Sequence, residues 1–202
     1  RFDGVTWAME LAKSATHDAL KTEIYAEVLV YTCQNDDAQA LQLLLSTVTS
    51  DTLISLLSTA KFGGGATTIH QAAKHGITTF ISIILQVVPS KTVLLLLLEQ
   101  CERDGGRTAL HIACNSKKLK VIETVINLVP KEDRFRLIIA TDDNGNTVLH
   151  AAVASGDNRI VLALRVDQLT GEQRYAIMVK ENKDRLTAID LTKQQNNQEM
   201  EG

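Results

Sequence analysis

The chain has 202 residues, 45% hydrophobic and 22% charged, which is enough apolar material for one elongated domain or two small ones and too much for a disordered tail. Its 21 basic against 24 acidic side chains leave a formal charge of −3. That balance excludes a global basic field for neutralising phosphates, so no nucleic-acid partner is expected.

Cys33, Cys101 and Cys114 are odd in number and widely spaced. They fit neither a disulfide framework nor a four-cysteine zinc site, and an intracellular reducing compartment is the expected setting. The most apolar stretch, 77–98, is broken by Gln86, Pro89, Ser90 and Lys91 and cannot supply an uninterrupted bilayer span. The chain opens on Arg1 with no charged-then-apolar leader, and it is expected to be a fragment of a longer protein.

In chain order, residues 1–26 read as an N-terminal cap or the second half of a preceding unit, with Trp7, Ala8, Leu11, Leu20 and Ile24 on apolar faces. A repeated string then sets the organisation. It reads GATTIHQAAKHG at 65–76, GRTALHIACNSK at 106–117 and GNTVLHAAVASG at 145–156, with a weaker RLTAIDLT at 185–192. Thr67, Thr108, Thr147 and Thr187 are separated by 41, 39 and 40 residues, and one further step back reaches Glu27 and the string EVLVYTCQND. A period in this range is the signature of a stacked repeat architecture.

Each copy is followed by an apolar stripe at helical spacing: Leu41, Leu44, Leu45; Phe80, Ile81, Ile84; Val121, Ile122, Val125; Ile160, Val161, Leu164. Pro89 and Pro130 fall at one phase and mark a common helix stop. Beyond it, 52–58, 92–99, 132–140 and 172–179 are again helix-compatible and predict an additional short helix per repeat. Val93 and the five leucines after it exceed what one face of a surface helix buries, so that helix is either packed on both sides or offers a binding patch.

These strings resemble the ankyrin repeat, whose pattern is G-x-T-x-L-H-x-A-A followed by a glycine and a V-x-x-L-L helix. The predicted fold is an all-α repeat solenoid of helix pairs with hairpin or turn connections. It occupies 27–192 as about five repeats starting near 27, 65, 106, 145 and 185, and a polar tail follows at 193–202. The repeats are near 40 residues where the family usually has about 33. Long repeats with a V-P-K-E joint resemble those of ankyrin proteins of intracellular bacteria, which implies an effector module secreted into host cytoplasm.

His70, His111 and His150 recur at one phase, one per layer, too far apart to share a zinc ion. The resemblance implies that each histidine and its threonine hold the turns and tie adjacent repeats. His111 and Cys114 stand three apart on a helix, the spacing of a thiolate–imidazole couple. Yet Ala73 and Val153 fill the cysteine's slot in sister repeats, which marks it as apolar. The glycines at 63–65 lack the lysine of a phosphate-binding loop and predict a turn. Gly76 and Gly156 predict left-handed residues closing the first helices, with Asp36 and Lys117 at the same phase. Lys117, Lys118 and Lys120, and next Arg134 and Arg136, predict a solvated helix-end face, with acidic-partner contact as the alternative.

No catalytic, cofactor or metal residue is nominated. The resemblance implies a monomeric, non-catalytic scaffold that binds a protein through its concave face and turn tips. Carried over position by position, the first-helix surface is Tyr31, Gln34 and Asn35; Gln71, Lys74 and His75; Ile112, Asn115 and Ser116; Ala151, Ala154 and Ser155. The turn surface is Lys61 and Phe62; Arg103 and Asp104; Asp142, Asp143 and Asn144; Lys183 and Asp184. Tyr31, Phe62 and Ile112 are the expected anchors. The alternative is a targeting or regulatory domain of a larger enzyme whose catalytic part lies elsewhere.

Overall fold

The threonine ruler is a ruler of helices in the computed structural model, which describes residues 2–60, 62, 65–101 and 104–201, with side chains from 4 to 194. Helix α1 (Phe2–Ser14) leads into α2 (Asp18–Asn35), α3 (Ala38–Thr47) and α4 (Ser50–Thr59). The next two triplets are α5 (Thr68–His75), α6 (Thr78–Val87) and α7 (Ser90–Leu98), then α8 (Ala109–Asn115), α9 (Leu119–Leu128) and α10 (Lys131–Ile139). The fourth is α11 (Val148–Ala154), α12 (Asn158–Ala163) and α13 (Gly171–Met178), and α14 (Ala188–Glu201) closes the order.

Neighbouring triplets stack like on like. First helices form the row α2, α5, α8, α11, α14; second helices the row α3, α6, α9, α12; additional helices the row α4, α7, α10, α13. The three rows share one core that includes Leu44, Leu56, Ile84, Leu97, Ile126, Ile138 and Ile177. The leucine run resolves in favour of packing: α7 lies between α4 and α10 with Leu94, Leu96 and Leu97 buried, and only Leu95 is turned out, 66% exposed.

The joint between second and additional helices has one phase and two solutions. Pro89 and Pro130 end one helix and sit as the extended residue before the next, with φ of −56° and −51°. Thr49 and Thr170 occupy the same phase in the other repeats, and each hydroxyl accepts the backbone N–H three residues on. The left-handed residues also fall as the phase predicts: Asp36 at φ 49°, Gly76 at 84°, Lys117 at 54° and Gly156 at 70°.

The two ends of the stack add detail that the repeat phase does not set. Glu27 stands at the phase where Thr67, Thr108 and Thr147 start their helices, and no glycine or proline precedes it in 18–26, so α2 begins at Asp18 and runs through the boundary expected near 27. In α1 the buried face is Val5, Met9 and Ala12, while Trp7 (68% exposed) and Leu11 point out, as does Leu20 of α2. The polar tail continues α14 in helical conformation to Glu201.

Candidate functional site

Each motif threonine starts a first helix and each motif histidine closes its cap. The backbone N–H of Thr67 donates to His70 Nδ1 at 3.2 Å, that of Thr108 to His111 Nδ1 at 3.3 Å and that of Thr147 to His150 Nδ1 at 3.2 Å. This is a capping box with imidazole in place of the usual carboxylate or amide. An Nδ1 that accepts leaves the proton on Nε2. Nε2 donates to a carbonyl of the following turn: Glu99 at 2.9 Å, Asn146 at 2.9 Å and Leu186 at 3.0 Å. Both ring nitrogens are thereby engaged, which leaves neither for a metal or a proton transfer. Burial holds the His111 and His150 imidazoles below their ordinary pKa, which favours the neutral form this bonding needs.

Asp190 stands at this phase in the last copy. Its Oδ2 accepts the Thr187 N–H at 3.1 Å and the Thr187 hydroxyl at 2.7 Å, and its Oδ1 pairs with Lys193 at 3.2 Å. The carboxylate keeps the cap within the repeat and gives up the bond to a following turn.

The turns are stitched directly as well. The Asp143 N–H donates to Gly105 O at 2.8 Å, and the Lys183 N–H to Asn144 O at 2.9 Å. Gly106, at φ 67°, is required by this approach, because a Cβ there would collide with the Asp143 carboxylate.

A cleft of about 410 Å3 opens on the first-helix face between α2 and α5, lined by Cys33, Gln34, Asn35, Asp36, Phe62, Gln71, His75 and Ile77. Gln34, Asn35, Phe62, Gln71 and His75 were nominated from sequence and converge here. Tyr31 points to the other side of α2, where it borders a groove of about 290 Å3 with Val5, Ala8 and Ile24. Lys74, Asn115 and Ala154 are exposed, and Ser116 and Ser155 half-buried, along the same row of first helices. Asp143, Asn144, Lys183 and Asp184 are exposed at the turns, and half-buried Asp104 pairs with Arg107 at 3.0 Å. Arg103 and Lys61 lie outside the described residues, as do Gly63 and Gly64.

Four expectations of exposure are corrected. Ile112 is 5% exposed, because it packs with Ala66 and Cys101 beneath Phe62 and is not available as an anchor. Ala151 is buried. Asp142 is buried, its Oδ1 accepting the backbone N–H groups of Asn144 (2.9 Å) and Asn146 (2.8 Å), so it builds the turn. Arg134 is also buried and donates to Gln168 at 2.7 Å.

Cys33 and Cys114 are fully buried, and burial pushes both thiols up to about 12, far from a reactive thiolate. Among the described residues no group of three or more metal-ligating side chains comes together, and no helix is long and apolar enough to cross a membrane.

Residues 88–172 match the family model for ankyrin repeats in three copies. A search of curated proteins finds no match to the chain. The matched span contains His111 and His150; His70 lies before it and makes the same bonds.

Proposed function

We propose that this chain, which carries ankyrin repeats and with them a protein-interaction module, binds its partner on the first-helix face, centred on the cleft between α2 and α5. One observation carries the reading. The scaffold histidines, threonines and cysteines are consumed by packing and by bonds between repeats, while Gln34, Asn35, Gln71 and His75 gather at one open cleft beside Phe62. A few amides and an aromatic floor are what a recognition site supplies, and they contain no nucleophile–base pair.

The long repeat with its V-P-K-E joint supports the narrower reading of an effector module that works on a host protein. The three cysteines, all buried, fit a reducing compartment.

Capture of partners from eukaryotic lysate, read by mass spectrometry, tests the site. Gln71→Arg, which fills the cleft mouth, is expected to lose a partner that the parent and a Tyr175→Ala variant on exposed α13 both retain. Loss in Tyr175→Ala with retention in Gln71→Arg would place the site on the additional helices instead.

A further inference from the structure

The cleft continues into a strip of lysines that form no direct ion pair among the described residues. Lys74 and His75 end α5, Lys117 and Lys118 form the turn before α9, and Lys120 lies in that helix's first turn. The strip is continuous across the repeat boundary. The aliphatic stem of Lys118 lies over Gly76, its Cδ 3.1 Å from where a Cβ would stand, so it reaches the turn that follows His75. Some surface cations are paired, Lys13 with Glu10, Lys21 with Asp18, Arg107 with Asp104 and Lys193 with Asp190, while others, Lys91 and Lys131 among them, have no ion pair among the described residues. Lys74, Lys117, Lys118 and Lys120 have no ion-pair partner among the described residues.

The repeat phase sharpens the pattern. The position of Lys118 is Asp37 in the first repeat and Asp157 in the fourth, so the strip is bounded by carboxylates at both ends. Asp157 is held by Arg159, Nε at 3.0 Å and Nη2 at 2.8 Å, and of the strip it acts through space on Lys117. At the far side of the cleft stands Asp36. In a chain of net charge −3 this is a local field with a sign and a length, not a general basicity.

Resting on the binding reading above, we propose that this strip docks an acidic segment of the partner protein, with an apolar side chain of that segment seated in the cleft over Phe62. The direction follows from the charges. Asp36 repels carboxylates from the far end of the cleft, so the apolar residue enters there and the acidic residues run from His75 toward Lys120. The aliphatic stem of Lys118 lies along this path over Gly76, and exposed charge pairs tune encounter and register more than affinity.

Fluorescence anisotropy with the full chain tests this. The probe is a fluorescein-labelled peptide with a phenylalanine followed by a run of glutamates, beside a lysine-for-glutamate peptide, single-stranded DNA and phosphatidylserine vesicles. The acidic peptide is expected to bind, to weaken as salt is raised, and to lose roughly tenfold in affinity in the Lys74→Glu, Lys120→Glu double variant. Lys117→Gly guards against a folding artefact. It relieves a left-handed lysine, so it is expected to raise the melting temperature while lowering affinity several-fold. Unchanged binding by the double variant, or tighter binding of DNA or vesicles than of the acidic peptide, would overturn the proposal. So would lysate capture lost in Gln71→Arg and retained in Lys74→Glu, Lys120→Glu, an outcome that leaves the protein-binding reading standing.

Discussion

Replacing His111 with alanine probes the bond that couples one repeat to the next. The imidazole is fully buried, accepts from the Thr108 N–H and donates to Asn146 O. Three hydrogen bonds, from the Thr108 N–H, from the Thr108 hydroxyl and to Asn146 O, are lost at about 1 kcal/mol net each. The buried Thr108 N–H left without a partner costs about 1–3 kcal/mol more. Asn146 O keeps its bond from the Asp142 N–H at 3.0 Å, so no second orphan arises there. With the cavity, the loss comes to about 5 kcal/mol, a large share of the ~5–15 kcal/mol that holds a domain folded. Urea unfolding followed by circular dichroism measures it. Asp190→Ala is the internal comparison, because Asp190 makes the cap without the inter-repeat bond. The His111 variant is expected to show a far lower midpoint and a separated transition for the repeats beyond it. A His111→Ala midpoint no lower than that of Asp190→Ala would refute the coupling role.

Acid should act on the same bonds. His111 and His150 have folded pKa values below the ordinary 6.5, so the unfolded chain binds more protons, and stability is full above about pH 6.5 and declines as pH falls through it toward the lowered values. Melting temperatures taken between about pH 7.5 and about pH 5.5 should fall, and a flat profile would show the imidazoles protonated or solvated in the fold. In α7, Leu97→Ala is expected to cost about 3 kcal/mol in urea unfolding and Leu95→Ala less than ~0.5 kcal/mol, since one is buried and the other faces water. Equal costs would mean that the α4–α7–α10 row is not packed as described.

What could be read from the chain was whatever repeats. The threonine phase, the Pro89 and Pro130 joint and the left-handed Asp36 and Lys117 are local demands of helix starts and stops, and local chemistry writes them directly into sequence. What escaped depends on how a turn folds across the helix behind it. Ile112 shares a phase with Gln71, which suggested exposure, but Cys101 and Phe62 close over it. An isoleucine in a glutamine slot, with a cysteine opening the preceding turn, was the available signal. Asp142 could have been found from the run DDNGN, where an acceptor two and four residues before backbone N–H groups builds its own turn. The cleft was legible only as a list of positions, because its walls come from two repeats and its floor from a turn.

The third row of helices has a mechanical meaning. A stack joined along two rows can rock about the line between them, as a door does on its hinges. Here α4 touches α2 as well as α7, so the additional helices stand off that line and give each joint a third point of support. Three supports that are not collinear fix a plane. Rocking one repeat on the next then pulls buried leucines of α7 and α10 out of contact, so the face carrying the cleft keeps one shape, and the binding proposed for it would have little freedom left to remove.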